Sequence, residues 1–284
     1  MLQHTLTEDI KIVGKGLHSG MDVELVISPA EENKGITFVR SDIKDKKDIA
    51  ARYSEVVNTG NCTCIGTDDK NSIATIEHLM AALYTVGIDN ALIKVSSPEV
   101  PILDGSAEMW YKMIKNAPQK EQTSPRRYLK VLREVEYKDE SGAYIKLAPY
   151  QDGLYINFAI EFKSKLIGHQ EFHGLISEDV FAKDIAPCRT FCEKSQIDYL
   201  KSIGLIKGGS LDNALVIDGD KVLNPDGLKH QNECVNHKVL DAIGDMYTSG
   251  FFILGELSAY KSGHFHNNEL LKKLFADSSN YELV

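Results

Sequence analysis

The sequence predicts an α+β fold built twice over, with a functional site where the two copies meet. Three observations carry this reading. A chain of 284 residues is long for one compact core, so two domains are expected. The stretch Ala117–Tyr128, APQKEQTSPRRY, has two prolines, polar residues and no apolar periodicity, which reads as a linker. On each side of it the same order recurs: strands, a helix closed by glycine, then another strand.

Taken in order, Lys11–Pro29 and Ile36–Arg40 read as strands. Ser72 can cap a helix running through Ile73–Val86, which Gly87 closes, and Ala91–Val95 follows as a strand. Beyond the linker, Tyr128–Pro149 and Leu154–Phe162 alternate apolar and polar residues around glycine-containing turns, as strands do. Glu233–Ser249 forms the second helix, closed by Gly250 and followed by strand Phe251–Tyr260. His78 lies nine residues before Gly87, and Asp241 lies nine before Gly250. Polar residues thus occupy equivalent places on equivalent helices. The division expected is residues 1–120 for the first domain and 128–284 for the second.

Composition narrows the function. Hydrophobic residues at 43% and charged ones at 26% are ordinary for a globular protein. The balance of 32 basic against 41 acidic residues, net −9, argues against a nucleic-acid binder that neutralises phosphates. No run reaches the roughly 18 to 20 apolar residues of a membrane span. The opening residues Met1–Gly14 lack the basic and apolar regions of a signal peptide, so a cytoplasmic protein is expected. The five cysteines are odd in number and show no paired framework, and Cys62 and Cys64 stand too close for a zinc knuckle. They read as reduced, small, buried hydrophobes.

The chemistry concentrates on the two helices. At 100° per residue, Val239, Leu240, Ile243, Met246 and Tyr247 gather on one side of the second helix, and His237, Asp241 and Asp245 gather on the other. His237 and Asp241 are four apart and can share a ligand, and imidazole with carboxylate is a common zinc pair. The same pair also suits a His–Asp hydrogen bond on a solvated face. On the first helix, Ile76, Leu79, Met80 and Leu83 form the apolar side. His78 points nearly opposite, among Ala74, Ala81 and Ala82, toward something that packs closely: a partner helix, a metal, or a hydrogen-bonding partner in the core. Glu77 is a carboxylate on a mostly apolar helix, costly to bury unless paired or bound. In KSGHFHNN, His264 leaves the last strand through Gly263 into a loop, a frequent place for function, and Asp245 could hold its imidazole protonated.

These segments together resemble the UDP-3-O-acyl-N-acetylglucosamine deacetylase family. The matching pieces are GKGLHSG, TIEHLMAAL, GIDNALI and VPILDGSA in the first half, then CRTF, GLIKGGSLDNALV, VLNPDGLK, NHKVLDAIGD and YKSGH in the second, covering nearly the whole chain. The resemblance implies two similar domains, each a layer of two helices packed on β-structure, with the active site at their junction. It implies Zn2+ as cofactor, with Fe2+ as an alternative, held by His78, His237 and Asp241. Glu77 matches the general base, His264 the general acid, Asp245 the carboxylate supporting that acid, and Thr190 a hydroxyl that helps hold the oxyanion. Lys238, Phe191 and Phe162 match sugar-nucleotide contacts. Ile197, Leu200, Gly209, Ser210, Leu211 and Ala214 match an apolar passage for the acyl chain within Phe191–Val216, with Leu205, Ile206 and Gly208 as further candidates. The implied reaction removes the N-acetyl group of UDP-3-O-(3-hydroxyacyl)-N-acetylglucosamine, an early committed step of lipid A biosynthesis in Gram-negative bacteria. The implied partner is that small-molecule substrate, with no nucleic acid, no membrane span and no obligate protein partner. One position departs from the family pattern: His266 stands where an aliphatic residue is usual, placing a second imidazole near the acid. A metal-free sugar-nucleotide binder is the alternative; it would keep Lys238 and Phe162 but have no use for the two histidines with Asp241.

Overall fold

In the computed structural model, described for residues 1–68 and 70–284, the first half of the chain runs β1 (Leu2–Leu6), β2 (Ile10–Lys15), β3 (Asp22–Pro29), β4 (Ile36–Arg40), β5 (Ile49–Ala50), β6 (Val56–Asn58), β7 (Cys64–Asp68), β8 (Asn71–Ile73), α1 (Glu77–Val86), β9 (Ala91–Val95) and α2 (Glu108–Asn116). It closes with β10 (Gln119–Pro125). A five-stranded sheet in the order β2-β3-β9-β4-β5 is antiparallel except where β4 runs parallel to β9. Its alternation is clear in β3, where Val23, Leu25 and Ile27 point to the core and Asp22 and Glu24 face water.

The second half runs β11 (Tyr128–Val131), β12 (Val135–Lys138), β13 (Tyr144–Ala148), β14 (Leu154–Glu161), β15 (His169–Leu175), β16 (Phe191–Glu193), α3 (Lys194–Ser202), β17 (Leu215–Asp218), β18 (Lys221–Val222), α4 (Glu233–Tyr247), β19 (Phe252–Tyr260), α5 (His264–Ala276) and β20 (Tyr281–Leu283). Strand β19 is the hub of its seven-stranded sheet, parallel to β11 and β14 and antiparallel to β13. The α+β class with two domains is as expected. The helices form one layer: α2 packs on α1, α1 on α4, and α4 on α5. A single buried apolar cluster runs through both halves. Gly244 sets the α1–α4 crossing, because a Cβ there would lie 2.0 Å from the Glu77 carbonyl oxygen.

Three sequence expectations are corrected. Most of the linker Ala117–Tyr128 is strand β10, which pairs antiparallel with β1. Its inward residue is Gln122, whose amide accepts from Asn90 (2.7 Å) and donates to the Ala30 carbonyl (3.0 Å). A polar side chain fills the core-facing place, so no apolar alternation marked the strand. The first helix begins at Glu77, and Ser72 lies in β8 instead of capping it. Thr75 has a φ of 61°, a left-handed conformation that a β-branched residue rarely takes, and this interrupts any helix upstream. Third, His264 opens helix α5 and is not a loop residue. At the C-termini, Gly87 closes α1 in the left-handed conformation as expected, while α4 stops at Tyr247, short of Ser249. No described helix is long and apolar enough to cross a membrane.

Candidate active site

The α1–α4 crossing brings His78 to His237 and Asp241. His78 Nε2 lies 3.6 Å from Asp241 Oδ1, and His237 Nε2 lies 3.4 Å from the same oxygen. All three side chains are almost fully buried, at 3–4% exposure, which rules out the solvated-face reading of the His237–Asp241 pair. The rings of His78 and His237 stand edge to face with centroids 4.9 Å apart. His237 Nδ1 donates to the Cys188 carbonyl at 3.0 Å, which leaves the Nε2 lone pair turned toward Asp241.

This arrangement fits a divalent metal. Burial pushes His78 down to about 3, with His237 adding to the effect, and burial also lowers His237, so both imidazoles are neutral. Burial works against ionised Asp241, but the Lys238 ammonium and the neighbouring imidazoles hold its carboxyl well below the usual range. Lys238 Nζ donates to Asp241 Oδ2 at 2.6 Å, while Oδ1 is buried and has no hydrogen-bond partner in the protein. An orphaned carboxylate oxygen facing a lone pair is repulsive unless a cation stands between them. Ligand atoms about 3.4 Å apart are what tetrahedral bonds of roughly 2.0–2.1 Å require.

A second set of groups adjoins the first. Glu77, Asp241 and His264 also bring ligand-type atoms within 4.8 Å of one another. Glu77 Oε2 accepts from the Thr63 N–H at 3.1 Å, and burial pushes its carboxyl up to about 8. His264 Nδ1 donates to Asp245 Oδ2 at 2.8 Å; burial opposes its charge, yet the Asp245 carboxylate outweighs it and the imidazole rises to about 9. Asp245 is itself held by the Thr63 hydroxyl (2.5 Å) and the Asn267 amide (2.7 Å). A protonated imidazole has no lone pair to offer a metal, so of the two sets His78–His237–Asp241 is the better fit to one. Glu77 and His264 stand beside it, a carboxyl whose proton affinity burial raises and an imidazole that the Asp245 carboxylate keeps charged.

The residues expected to meet the substrate lie next to this centre. Phe191 sits edge to face with Phe162 (5.5 Å) and approaches His237 (6.3 Å). Thr190 is pinned by its N–H to the Gly105 carbonyl (2.7 Å) and by its carbonyl to the Leu215 N–H (2.8 Å). A cavity of about 350 Å³ opens from Thr190 and Phe191, and Ile197, Leu200, Gly209, Ser210, Leu211 and Ala214 all line it, with Ile206. Leu205 and Gly208 do not line it. Gly208 is small for another reason: a Cβ there would lie 2.2 Å from the Gly16 carbonyl oxygen. His266 turns away from the acid and pairs with Asp139 Oδ2 at 3.0 Å, tying α5 to the β12–β13 turn. Cys62, Cys188 and Cys234 are buried as expected, but Cys64 and Cys192 are partly exposed, and Cys192 lines the cavity.

Several participants were not anticipated. Thr63 reaches both Glu77 and Asp245, and Asn267 completes the Asp245 cradle. His18 lines the cavity with both ring nitrogens buried and unpartnered, although its backbone and that of Ser19 are fixed by Glu99 at 2.8 Å each. The motif GLHSG was a signal for His18; nothing in the sequence around Thr63 distinguishes it from an ordinary loop threonine.

Comparison with known proteins agrees with this geometry. The family model described as UDP-3-O-acyl N-acetylglycosamine deacetylase matches residues 3–276. Curated proteins named UDP-3-O-acyl-N-acetylglucosamine deacetylase are similar along the full chain: one from Shewanella violacea at 43% identity, and those from Shewanella baltica and Shewanella oneidensis at 44%. In each case 100% of this chain and 93% of the relative are covered.

Proposed function

The chain belongs to the UDP-3-O-acyl-N-acetylglucosamine deacetylase family, and from that premise we propose that it hydrolyses the N-acetyl group of UDP-3-O-acyl-N-acetylglucosamine. The products are acetate and UDP-3-O-acyl-glucosamine, an early committed step of lipid A biosynthesis. The observation that carries this reading is the buried, unpartnered Asp241 Oδ1 between two neutral imidazoles. A metal-free sugar-nucleotide binder leaves that oxygen unexplained.

In this reading His78, His237 and Asp241 would hold Zn2+, which when bound would supply a Lewis acid for the acyl oxygen and make a water acidic enough to ionise near neutral pH. Glu77, as its carboxylate, takes the proton of the attacking water, and burial, which raises its proton affinity, strengthens it as that base. The Thr190 hydroxyl donates to the carbonyl oxygen as charge builds there, a contact worth roughly 3 kcal/mol. The imidazolium of His264, kept charged by Asp245, gives its proton to the amine nitrogen as the C–N bond breaks. Lys238, Phe191 and Phe162 orient the sugar nucleotide, with the Phe162–Phe191 pair offering ring faces beside the metal site. The cavity from Phe191 to Ala214 takes the acyl chain. We place the domain division between residues 120 and 128; among the described residues, no strand pair joins one side of Arg126 to the other. A cytoplasmic location belongs to the same proposal, supported by a nucleotide-sugar substrate and five unpaired cysteines.

The test is acetate release from UDP-3-O-acyl-N-acetylglucosamine by the purified chain, before and after chelation. Release that stops on chelation and returns with one equivalent of zinc is expected. Turnover indifferent to chelator would overturn the metal assignment.

A further inference from the structure

Buried guanidinium groups in this fold have acidic partners. Arg40 pairs with Asp42 at 2.6 Å, Arg126 with Asp89 at 2.7 Å and Arg189 with Glu233 at 2.8 Å. Arg52 is half-buried and has none among the described residues. A guanidinium carries five N–H donors. Among the described residues, the one hydrogen bond of the Arg52 guanidinium is from Nη1 to the Ser249 carbonyl, at 2.7 Å, just beyond the C-terminal end of α4. The group lies flat on Gly250, where a Cβ would fall 1.2 Å from Nη1. Burial lowers its pKa and the nearby Arg127 adds to that, the signature of a cation short of counter-charge.

Arg127 stands across the same narrow cleft, exposed and also without a carboxylate partner among the described residues. Both guanidiniums lie over one ring: Arg52 is 5.2 Å and Arg127 5.3 Å from the centroid of Phe251. The remaining wall includes Gln3, Asn33 and Asp89. Asp89 is not available to either cation, since its oxygens already accept from Arg126 Nε (2.9 Å), Arg126 Nη2 (2.7 Å) and the His4 N–H (2.7 Å). Two forked donors facing one cleft, with the local acid engaged elsewhere, match a small oxyanion that can accept from both.

We propose that Arg52 and Arg127 form a site for a phosphate-type oxyanion at the junction of the two domains, separate from the metal centre. Arg52 comes from the first domain, Phe251 from the second, and Arg127 from the segment that joins them. A bound anion therefore bridges them and stabilises the assembled fold.

Thermal unfolding of the zinc-loaded chain in inorganic phosphate, against chloride at equal ionic strength, tests this. At saturation the melting temperature should rise by about 2–4 °C. Arg127→Gln, a surface change, should abolish the rise while leaving deacetylation in chloride unchanged. Lys238→Met, which alters anion binding at the catalytic centre, should keep the rise. Arg52→Lys retains the charge without the fork and should also lose it; if that variant does not fold, Arg127→Gln carries the test alone. General salting-out by phosphate would act on every variant alike, so an undiminished rise in Arg127→Gln overturns the proposal. So does a rise that disappears in Lys238→Met.

Discussion

The metal cluster and the apolar cavity proposed to take the acyl chain are neighbours built on opposite principles. His78, His237 and Asp241 sit on two helices pressed together at Gly244, each 3–4% exposed. The passage is lined from α3 and the turns after it, where Leu211 is 40% exposed and α3 buries no residue fully. At the metal, the Asp245 cradle and the Cys188 carbonyl fix orientation through hydrogen bonds. In the passage, orientation rests on apolar contact, which is not directional. Under the proposed function, chemistry that depends on fractions of an ångström is placed on rigid elements, and selection for chain length on a surface that tolerates variation.

The largest effects should come from the rigid side. His237→Ala removes a proposed ligand, and both zinc and turnover should be lost. Glu77→Gln should keep zinc at one per chain while kcat falls about 10²–10⁴-fold. Metal analysis beside kinetics separates the two, and a Glu77→Gln variant that loses its zinc would place Glu77 among the ligands.

A smaller effect is expected in the second layer of the cluster. His264 must be protonated to act, so activity should fall as pH rises through about 9. Asp245→Asn removes the carboxylate that holds the proton, and the alkaline limb should move toward neutral pH. The same raised pKa makes a stability prediction. The contribution of the His264–Asp245 pair is full below the unfolded histidine value of about 6.5 and is lost as pH rises through about 9. Melting temperature measured across that window in wild type and Asp245→Asn checks the sign. Curves that stay parallel would remove the assigned role of Asp245.

The smallest effect belongs to the passage. Each buried methylene contributes about 0.8 kcal/mol, roughly fourfold in kcat/KM. A Cβ on Gly209 would meet the Ile206 carbonyl at 3.2 Å and Leu17 at 3.6 Å, so Gly209→Leu narrows the cavity. Substrates of increasing 3-O-acyl length should gain steadily with wild type and level off early with this variant. Equal gains in both would put the acyl chain elsewhere.

What the sequence by itself determined was local. Helical periodicity places His237, Asp241 and Asp245 on one side of α4, and Gly87 ends α1, because each depends only on residues within a few positions. The apolar and small residues of Phe191–Val216 were legible as a passage only through the family resemblance; on composition alone they also describe a minor core under a loop. The tertiary structure decided the rest. It turned a polar helix face inward by crossing α1 and α4 at Gly244, so that His78 and Asp241, far apart in the chain, share one point. It started α1 at Glu77 through the left-handed Thr75, against local helix propensity. It made β10 a strand whose buried residue is a glutamine, and recruited Thr63 and His18 from loops. Apart from His18, which sits in the GLHSG motif, none of these has a local signature, because each contact joins segments whose proximity is set by packing of the whole core, and packing is not periodic in sequence.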